Sequence, residues 1–346
     1  MDNKDRKTRR LLLGILLGLL LLLIGAVCVY GIWERAPEVT AQTRPLVVAV
    51  SKPAVRRAPA EAQEKSRTRR EGVYTLLLAG RDDGNGNTDT MMLARLDTNG
   101  HAFEAVSIPR DTMVNAPWQI RKLNAAYAMG TLSGGSGAES LRRHVANLTG
   151  FEADNYAIVD LDAFVQVVDT LGGVDFDVPM AMDYEDRGQD LAIHLQPGPQ
   201  HLNGSQAMGL CRFRSGYADA DLGRIEMQHR FLKACASQFI TLGNIPNVAK
   251  VVDILSHSLE TDLSGGNIAW FLRQFLKCRS EDVHFYTAPS RPADAGGISY
   301  TVLELEPWLE RINESLNPYS EPIAAEDLDL VFSRGGALGW TAARRF

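Results

Sequence analysis

The chain has little of several things that would settle its chemistry at once. Four cysteines in 346 residues are too few for a disulfide framework, and none stands in CxxC or Cys/His ligand spacing. Its 36 Lys and Arg against 42 Asp and Glu give a net charge of -6, so no global basic field points to nucleic acid. Seven histidines are scattered without metal-ligand spacing. Walker A, GxGxxG, HExxH, GxSxG and SxxK sequences are all missing, which leaves P-loop chemistry, zinc hydrolysis and serine nucleophiles without support. The composition, 45% hydrophobic, 23% charged and 8% aromatic, excludes disordered and collagen-like classes. The length suits one large or two ordinary domains, and no repeat is visible.

One long apolar run is present. Leu11 to Trp33 holds 23 residues without a charge, roughly 35 Å as a helix against a hydrocarbon core of about 30 Å. Lys4, Arg6, Lys7, Arg9 and Arg10 precede it, which places residues 1–10 in the cytoplasm and everything after the span outside. A cleaved signal would be shorter, about 7–15 apolar residues, and Tyr30 and Trp33 resemble an interfacial belt. Bulky Val27 before Cys28 argues against a lipoprotein site. Cys211, Cys235 and Cys278 then lie outside, so at least one is expected unpaired. Residues 34–71, rich in Ala, Pro, Arg and Glu, read as an extracellular linker. The basic cluster Lys65–Arg70 is read there as part of a solvated stalk, with attraction to anionic lipid or wall polymer as the alternative.

From Val73 the pattern is that of a folded domain, assigned to residues 72–318, with 319–346 left as a C-terminal tail. VYTLLLAG reads as a buried strand and TDTMMLARLD as a second. Asn99-Gly100 predicts a hairpin into HAFEAVSIP, hence a mixed sheet. Helices are expected near 121–130, 137–149, 162–171, 203–214, 221–242, 246–260, 264–277 and 302–316, and strands at 156–160, 174–179 and 283–287. Strands alternating with helices predict an α/β layered domain.

The chemistry-bearing residues are acids and arginines. Asp82, Asp83 and Asp89 lie on or beside the loop between the first two strands, where α/β sheets place ligands. Carboxylates there suit a hard cation such as Mg²⁺, although the same residues make an ordinary turn. Ser107-Ile108-Pro109-Arg110-Asp111 aims a guanidinium at the same edge; its fork of donors suits phosphate oxygens, or an ion pair with Asp111. Leu202 to Phe231 carries Arg212, Arg214, Arg224 and Gln228 about one helix break, and positions 224 and 228 share a helical face. Such a cluster needs an anion between its members, supplied by Asp219 and Asp221 or by a diphosphate. Together these residues point to metal-assisted phosphoryl transfer.

The segments LLLAGRDDGNGNTDTMML, AVSIPRDTMV, RKLNAAYAMG, DNYAIVDLDAFVQVVDTLGGVDFDVP, HLQPGPQHLNGSQAMGLCRFR and ADLGRIEMQHRFL, read in order over roughly residues 73–235, resemble the LytR-CpsA-Psr family of cell-wall glycopolymer ligases. The resemblance implies a three-layer α/β/α sandwich with a mixed central sheet behind one transmembrane helix, and a hydrophobic tunnel for a polyprenyl chain. It implies transfer of a phosphoglycan (teichoic acid, capsule or similar) from a polyprenyl-diphosphate carrier to a peptidoglycan sugar hydroxyl, in an enzyme at the cell membrane with its catalytic domain outside. On that likeness Asp82 and Asp89 match metal-associated acids for Mg²⁺ or Mn²⁺. Arg110 matches the arginine of the S-I-P-R-D motif, Lys122 and Asn124 occupy K-x-N, Arg212 and Arg214 the R-x-R pair, and Arg224 and Gln228 the later G-R-I-x-x-Q. Asp82, Asp89 and Arg110 are thus the implied catalytic residues, with Lys122, Arg212, Arg214, Arg224 and Gln228 on the diphosphate.

The chain departs from the family at Asn87, where an arginine is common; Arg81 stands on the same loop as a candidate replacement. Two other readings remain beside the ligase: a non-catalytic binder of lipid-linked glycans that regulates the envelope, and a polyprenyl-diphosphate hydrolase. The apolar sides of helices 162–171 and 203–211 read either as lipid-tunnel wall or as plain core.

Overall fold

The computed structural model describes residues 34–39, 67–81, 86–186, 191–214, 217, 220–241, 245–334 and 337–342. In chain order the elements are β1 (Val73–Arg81), β2 (Thr88–Asp97), β3 (Ala102–Ser107), α1 (Ala126–Leu132), α2 (Gly137–Thr149), β4 (Asn155–Val159) and α3 (Leu161–Thr170). Then come β5 (Val174–Val178), β6 (Met182–Asp186), β7 (Leu191–Leu195), β8 (Gly198–Leu202), α4 (Gly204–Arg212), α5 (Ala220–Thr241) and α6 (Ile245–Ser258). The remainder is β9 (Leu259–Thr261), α7 (Gly265–Phe275), β10 (Val283–Thr287), β11 (Ser290–Ala295), β12 (Ile298–Leu303), α8 (Leu305–Arg311), β13 (Val331–Arg334) and β14 (Ala337–Trp340).

Local sequence sets several of these boundaries. Ser136 accepts from Glu139 N at the start of α2, and Gly150 ends it at φ 78°, a left-handed cap that glycine reaches without strain. Asp160 caps α3, while Asn203 with Gln206 and Ser264 with Asn267 close reciprocal capping boxes on α4 and α7. The β2–β3 turn is held by Asp97 Oδ1, which accepts from the amides of Asn99 and Gly100 at 2.9 Å.

The central sheet has the order β10-β3-β2-β1-β4-β9. Antiparallel β1–β2, β2–β3 and β4–β9 pairs combine with parallel β1–β4 and β3–β10 pairs, so the sheet is mixed, as the hairpin signal predicts. Helices cover both faces. Leu77, Leu93 and Val106 pack against Leu141, Val145, Trp308 and Ile312 on one face. On the other, Leu96 and Val283 meet Ala236 of α5, and Tyr74 meets Trp270 and Phe271 of α7 with ring centroids 4.8 and 6.0 Å apart. Trp308 anchors the first face: it is fully buried and its Nε1 donates to Leu148 O at 2.7 Å, which satisfies the indole that burial would otherwise strand.

Both ends of the domain differ from the sequence reading. Residues 67–70 are not stalk. Arg67 pairs with Asp327, Arg69 with Asp154, and Arg70 donates to Asn317 O, so this part of the basic cluster is taken up by the domain rather than by lipid or wall polymer. Residues 319–334 and 337–342 are not a loose tail either. β13 joins β12, β14 completes a four-stranded sheet β11-β12-β13-β14, and Leu330 and Val331 are fully buried. The strands are only four residues long, too short for their alternation to stand out. The expected 302–316 helix begins later, because Ile298–Leu303 pairs as β12, and Leu259–Thr261 at the end of the expected 246–260 helix forms edge strand β9. Cys211, Cys235 and Cys278 are all free thiols. Among the described residues no helix is long and apolar enough to cross a membrane; the expected span 11–33 and the tail 1–10 lie outside the described residues.

Candidate active site

Strand β1 shows two faces in one sequence. Val73, Thr75, Leu77 and Ala79 are buried, while Tyr74, Leu76, Leu78 and Gly80 alternate with them at half burial. The second set does not meet a packed layer along its whole length. Leu76 and Leu78 line a cavity of about 970 Å³, walled further by Leu161, Phe164 and Val167 of α3, Met208 and Cys211 of α4, and Ile268, Phe271 and Leu272 of α7. The sides of the helices expected at 162–171 and 203–211 therefore divide. Phe164, Val167 and Met208 face the cavity, whereas Val168, Ala207 and Leu210 belong to a solid core with Phe231.

The polar end of the same cavity collects the arginines. Arg81 ends β1, Arg110 follows β3 behind Pro109, Arg212 and Arg214 close α4, and Arg224 and Gln228 stand one turn apart on α5; all line the cavity. Among the described residues its wall holds five arginines against two carboxylates, Asp89 and Asp160, and Asp160 is engaged as the α3 cap, accepting from Ala163 N at 2.7 Å. A bulge places Asp89. The β1–β2 register passes from Gly80↔Thr90 to Arg81↔Thr88, leaving Asp89 as the extra residue, and bulges re-aim side chains in this way. Arg110 Nη1 donates to Asp89 Oδ1 at 2.8 Å, and Arg214 Nη2 lies 3.9 Å from Asp89 Oδ2. Arg224 is 4% exposed, and Gln228 Nε2 donates to Cys211 O at 3.0 Å, tying α5 to the end of α4. Among the described residues, five guanidinium groups line this end of the cavity and Asp89 bridges two of them, an arrangement suited to an anion with several oxygens.

One sequence assignment lands elsewhere. Lys122 does not line the cavity; its Nζ pairs with Asp111 at 3.2 Å and sits 5.9 Å from the Tyr300 ring. Asn124 of the same motif does line it. Asp82 and Asp83 lie outside the described residues. Asn87 and Arg81 both line the cavity, but Arg81 Nη1 donates to the Tyr127 hydroxyl at 3.0 Å and faces Glu260 at 3.5 Å. Tyr127 donates in turn to Glu260 at 2.5 Å; burial first, then this bond to a carboxylate, raises its pKa. This Arg81–Tyr127–Glu260 cluster was not signalled by sequence, since Glu260 belongs to a strand of three residues. Tyr184, on the unexpected β6–β7 hairpin, is a further wall residue.

Burial pushes the Cys211 thiol far up from its usual range, so the cavity wall carries a neutral thiol rather than a thiolate nucleophile. No group of three His, Cys, Asp or Glu among the described residues is arranged to hold a metal ion. Among the described residues that line the cavity, Asp89 is the carboxylate at the arginine end, already paired with Arg110. One carboxylate is the least with which a protein commonly holds Mg²⁺, substrate phosphate oxygens and water completing the shell.

TagV of Bacillus subtilis (strain 168), a polyisoprenyl-teichoic acid–peptidoglycan teichoic acid transferase, is 30% identical over 200 residues, covering 55% of this chain and 50% of TagV; the chain thus spans about half the length of that relative. TagU of Oceanobacillus iheyensis, described by the same activity, is 26% identical over 92% of this chain and 98% of its own. The crystal structure of B. subtilis TagV shares the fold with a TM-score of 0.57 at 24% identity, over 70% of this chain and 95% of that one. The LytR_cpsA_psr family model matches residues 46–316, and the chain belongs to that family.

Proposed function

We propose that the protein is a membrane-anchored glycopolymer phosphotransferase. It moves a phosphoglycan from a polyprenyl-diphosphate carrier to a peptidoglycan sugar hydroxyl on the outer side of the cell membrane. The observation that carries this reading is the continuity of one cavity: an arginine-rich end suited to a diphosphate runs into an apolar end suited to an isoprenoid tail. The names of TagV and TagU support the donor and acceptor classes.

In this reading Arg110, Arg212, Arg214 and Arg224 grip the diphosphate and neutralise charge as the bridge breaks. Asp89 holds Arg110 and Arg214 in place before substrate arrives. The acceptor hydroxyl oxygen bonds to the phosphorus that carries the glycan. The bond from that phosphorus to the bridging oxygen breaks, the electron pair leaves with polyprenyl phosphate, and the hydroxyl proton passes to Asp89. Mg²⁺ held by Asp89 and Asp82 would neutralise further charge on the diphosphate oxygens. Gln228 braces the α4–α5 corner that carries three of the arginines.

The test is turnover by the full chain in proteoliposomes with a polyprenyl-diphosphate glycan, a peptidoglycan oligomer and Mg²⁺, read by mass spectrometry. A phosphodiester-linked product, lost with Arg110→Ala, is the expected result. Free phosphoglycan without coupling would make the protein a hydrolase, and donor binding without any turnover would make it a glycan-binding regulator; either overturns the reading.

A further inference from the structure

Residues 34–39 carry information that the linker reading of 34–71 left out. They lie against α7 rather than away from the domain. The amide of Arg35 donates to Gly266 O at 3.3 Å, and Asn267 Nδ2 donates to Arg35 O at 2.9 Å. Arg273 Nε meets Glu34 at 3.0 Å, and that carboxylate is only 12% exposed. Pro37 is buried. The receiving turn of α7 is itself fixed by the Ser264–Asn267 capping box. The same helix supplies Ile268, Phe271 and Leu272 to the apolar wall of the cavity.

In the sequence Glu34 directly follows Trp33, the last residue of the uncharged run. The docked stretch therefore comes before residues 40–66, not after them. A free chain over 34–66 would let the domain range about 100 Å from the bilayer. Docking at Glu34 leaves no free chain between residue 33 and the contact with α7.

We propose that residues 34–39 clamp α7, and with it the apolar wall of the cavity, against the lipid surface in which residues 11–33 are embedded, so that a lipid tail enters the cavity beside α7 straight from the bilayer. This rests on reading 11–33 as a membrane span and the cavity as a lipid site. The clamp raises the effective concentration of membrane lipid at the cavity, as tethering does generally, and spares the tail a passage through water.

Two insertions in the full chain separate this from a stalk. A flexible Gly/Ser spacer of about 12 residues, spanning on the order of 20 Å, goes between Trp33 and Glu34 in one variant and between Val50 and Ser51 in the other. Both are placed in proteoliposomes with a dye at Leu132→Cys, an 80% exposed position, in a Cys28→Ser background, with acceptor dyes on lipid headgroups. The spacer before Glu34 is expected to lower energy transfer and to slow turnover of a bilayer-resident donor roughly tenfold. The spacer after Val50 should change neither. Equal effects from the two insertions, or none from either, overturn the clamp. A short-chain, water-soluble donor is the control: it should turn over equally in all three proteins. If it fails in all of them, the transferase reading falls while energy transfer still judges the clamp.

Discussion

The two faces of the central sheet are built from the same kinds of residue and do opposite things. On one, Leu77, Leu93 and Val106 are fully buried beneath Trp308, Leu141 and Ile312, in a close-packed layer. On the other, Leu76, Leu78 and Met92 look into a cavity of about 970 Å³. Apolar side chains around an unfilled volume forgo dispersion contacts, so the second face has given up stability that the first retains. The arrangement is reasonable if the missing contacts come from a ligand tail.

The largest effect that would sharpen this contrast is on the packed side. Trp308→Ala should cost about 3–5 kcal/mol, through lost burial and a stranded Leu148 carbonyl, measured by urea unfolding; a loss below about 1 kcal/mol would break the distinction. At the arginine end the balance should reverse. Arg110→Ala should reduce turnover by about 10²-fold or more and leave the melting temperature nearly unchanged, because Arg110 faces the cavity and not the core. A matched pair comes next. Leu77→Phe should overpack its face and cost about 1–3 kcal/mol, whereas Leu78→Phe has room, should change stability by less than that, and should weaken binding of a polyprenyl phosphate about tenfold by calorimetry.

The smallest effect concerns protons. His229 of α5 lies against Phe285, with ring centroids 5.9 Å apart, and its Nε2 is 2.7 Å from Ser107 Oγ. Burial lowers its pKa to about 4. A histidine depressed in the folded state binds its proton more readily when unfolded, so it favours folding above about pH 6.5 and loses that contribution as pH falls towards 4. His229→Gln should flatten the stability profile between these values relative to the unaltered protein. Parallel profiles would show that His229 is not the source.

The packed face was legible in its own residues, whereas the hollow one was implied only by the family resemblance, for a physical reason. Helix α2 is readable because Ser136 and Gly150 bracket a clear amphipathic period, and β2–β3 because Asn99-Gly100 marks its turn. A run such as VYTLLLAG says that both faces of β1 are covered, but Leu76 reads the same whether it touches a protein side chain or a void. The arginines could be picked out because charge is conspicuous at strand and helix ends. The bulge that aims Asp89 depends on register with β1, which no local pattern records. Lys122 was drawn to the site by its motif and is held instead by Asp111, a partner eleven residues away that spacing does not reveal. Strands β9, β13 and β14, of three and four residues, were too short to announce themselves.

The union of the domain's two ends bears on how the chain is made. Arg67, Arg69 and Arg70 emerge early in synthesis, yet Arg67 waits for Asp327 and Arg70 for Asn317, and Val114 meets its bridge partner Leu330 later still. A chain born amino-terminus first cannot close this fold until residues 327–330 are delivered. Until then Arg67 and the surface around Val114 stay uncovered, a long window in which a chaperone would find both exposed. Ending the chain at 318 would leave Arg67 and Val114 without these partners for good.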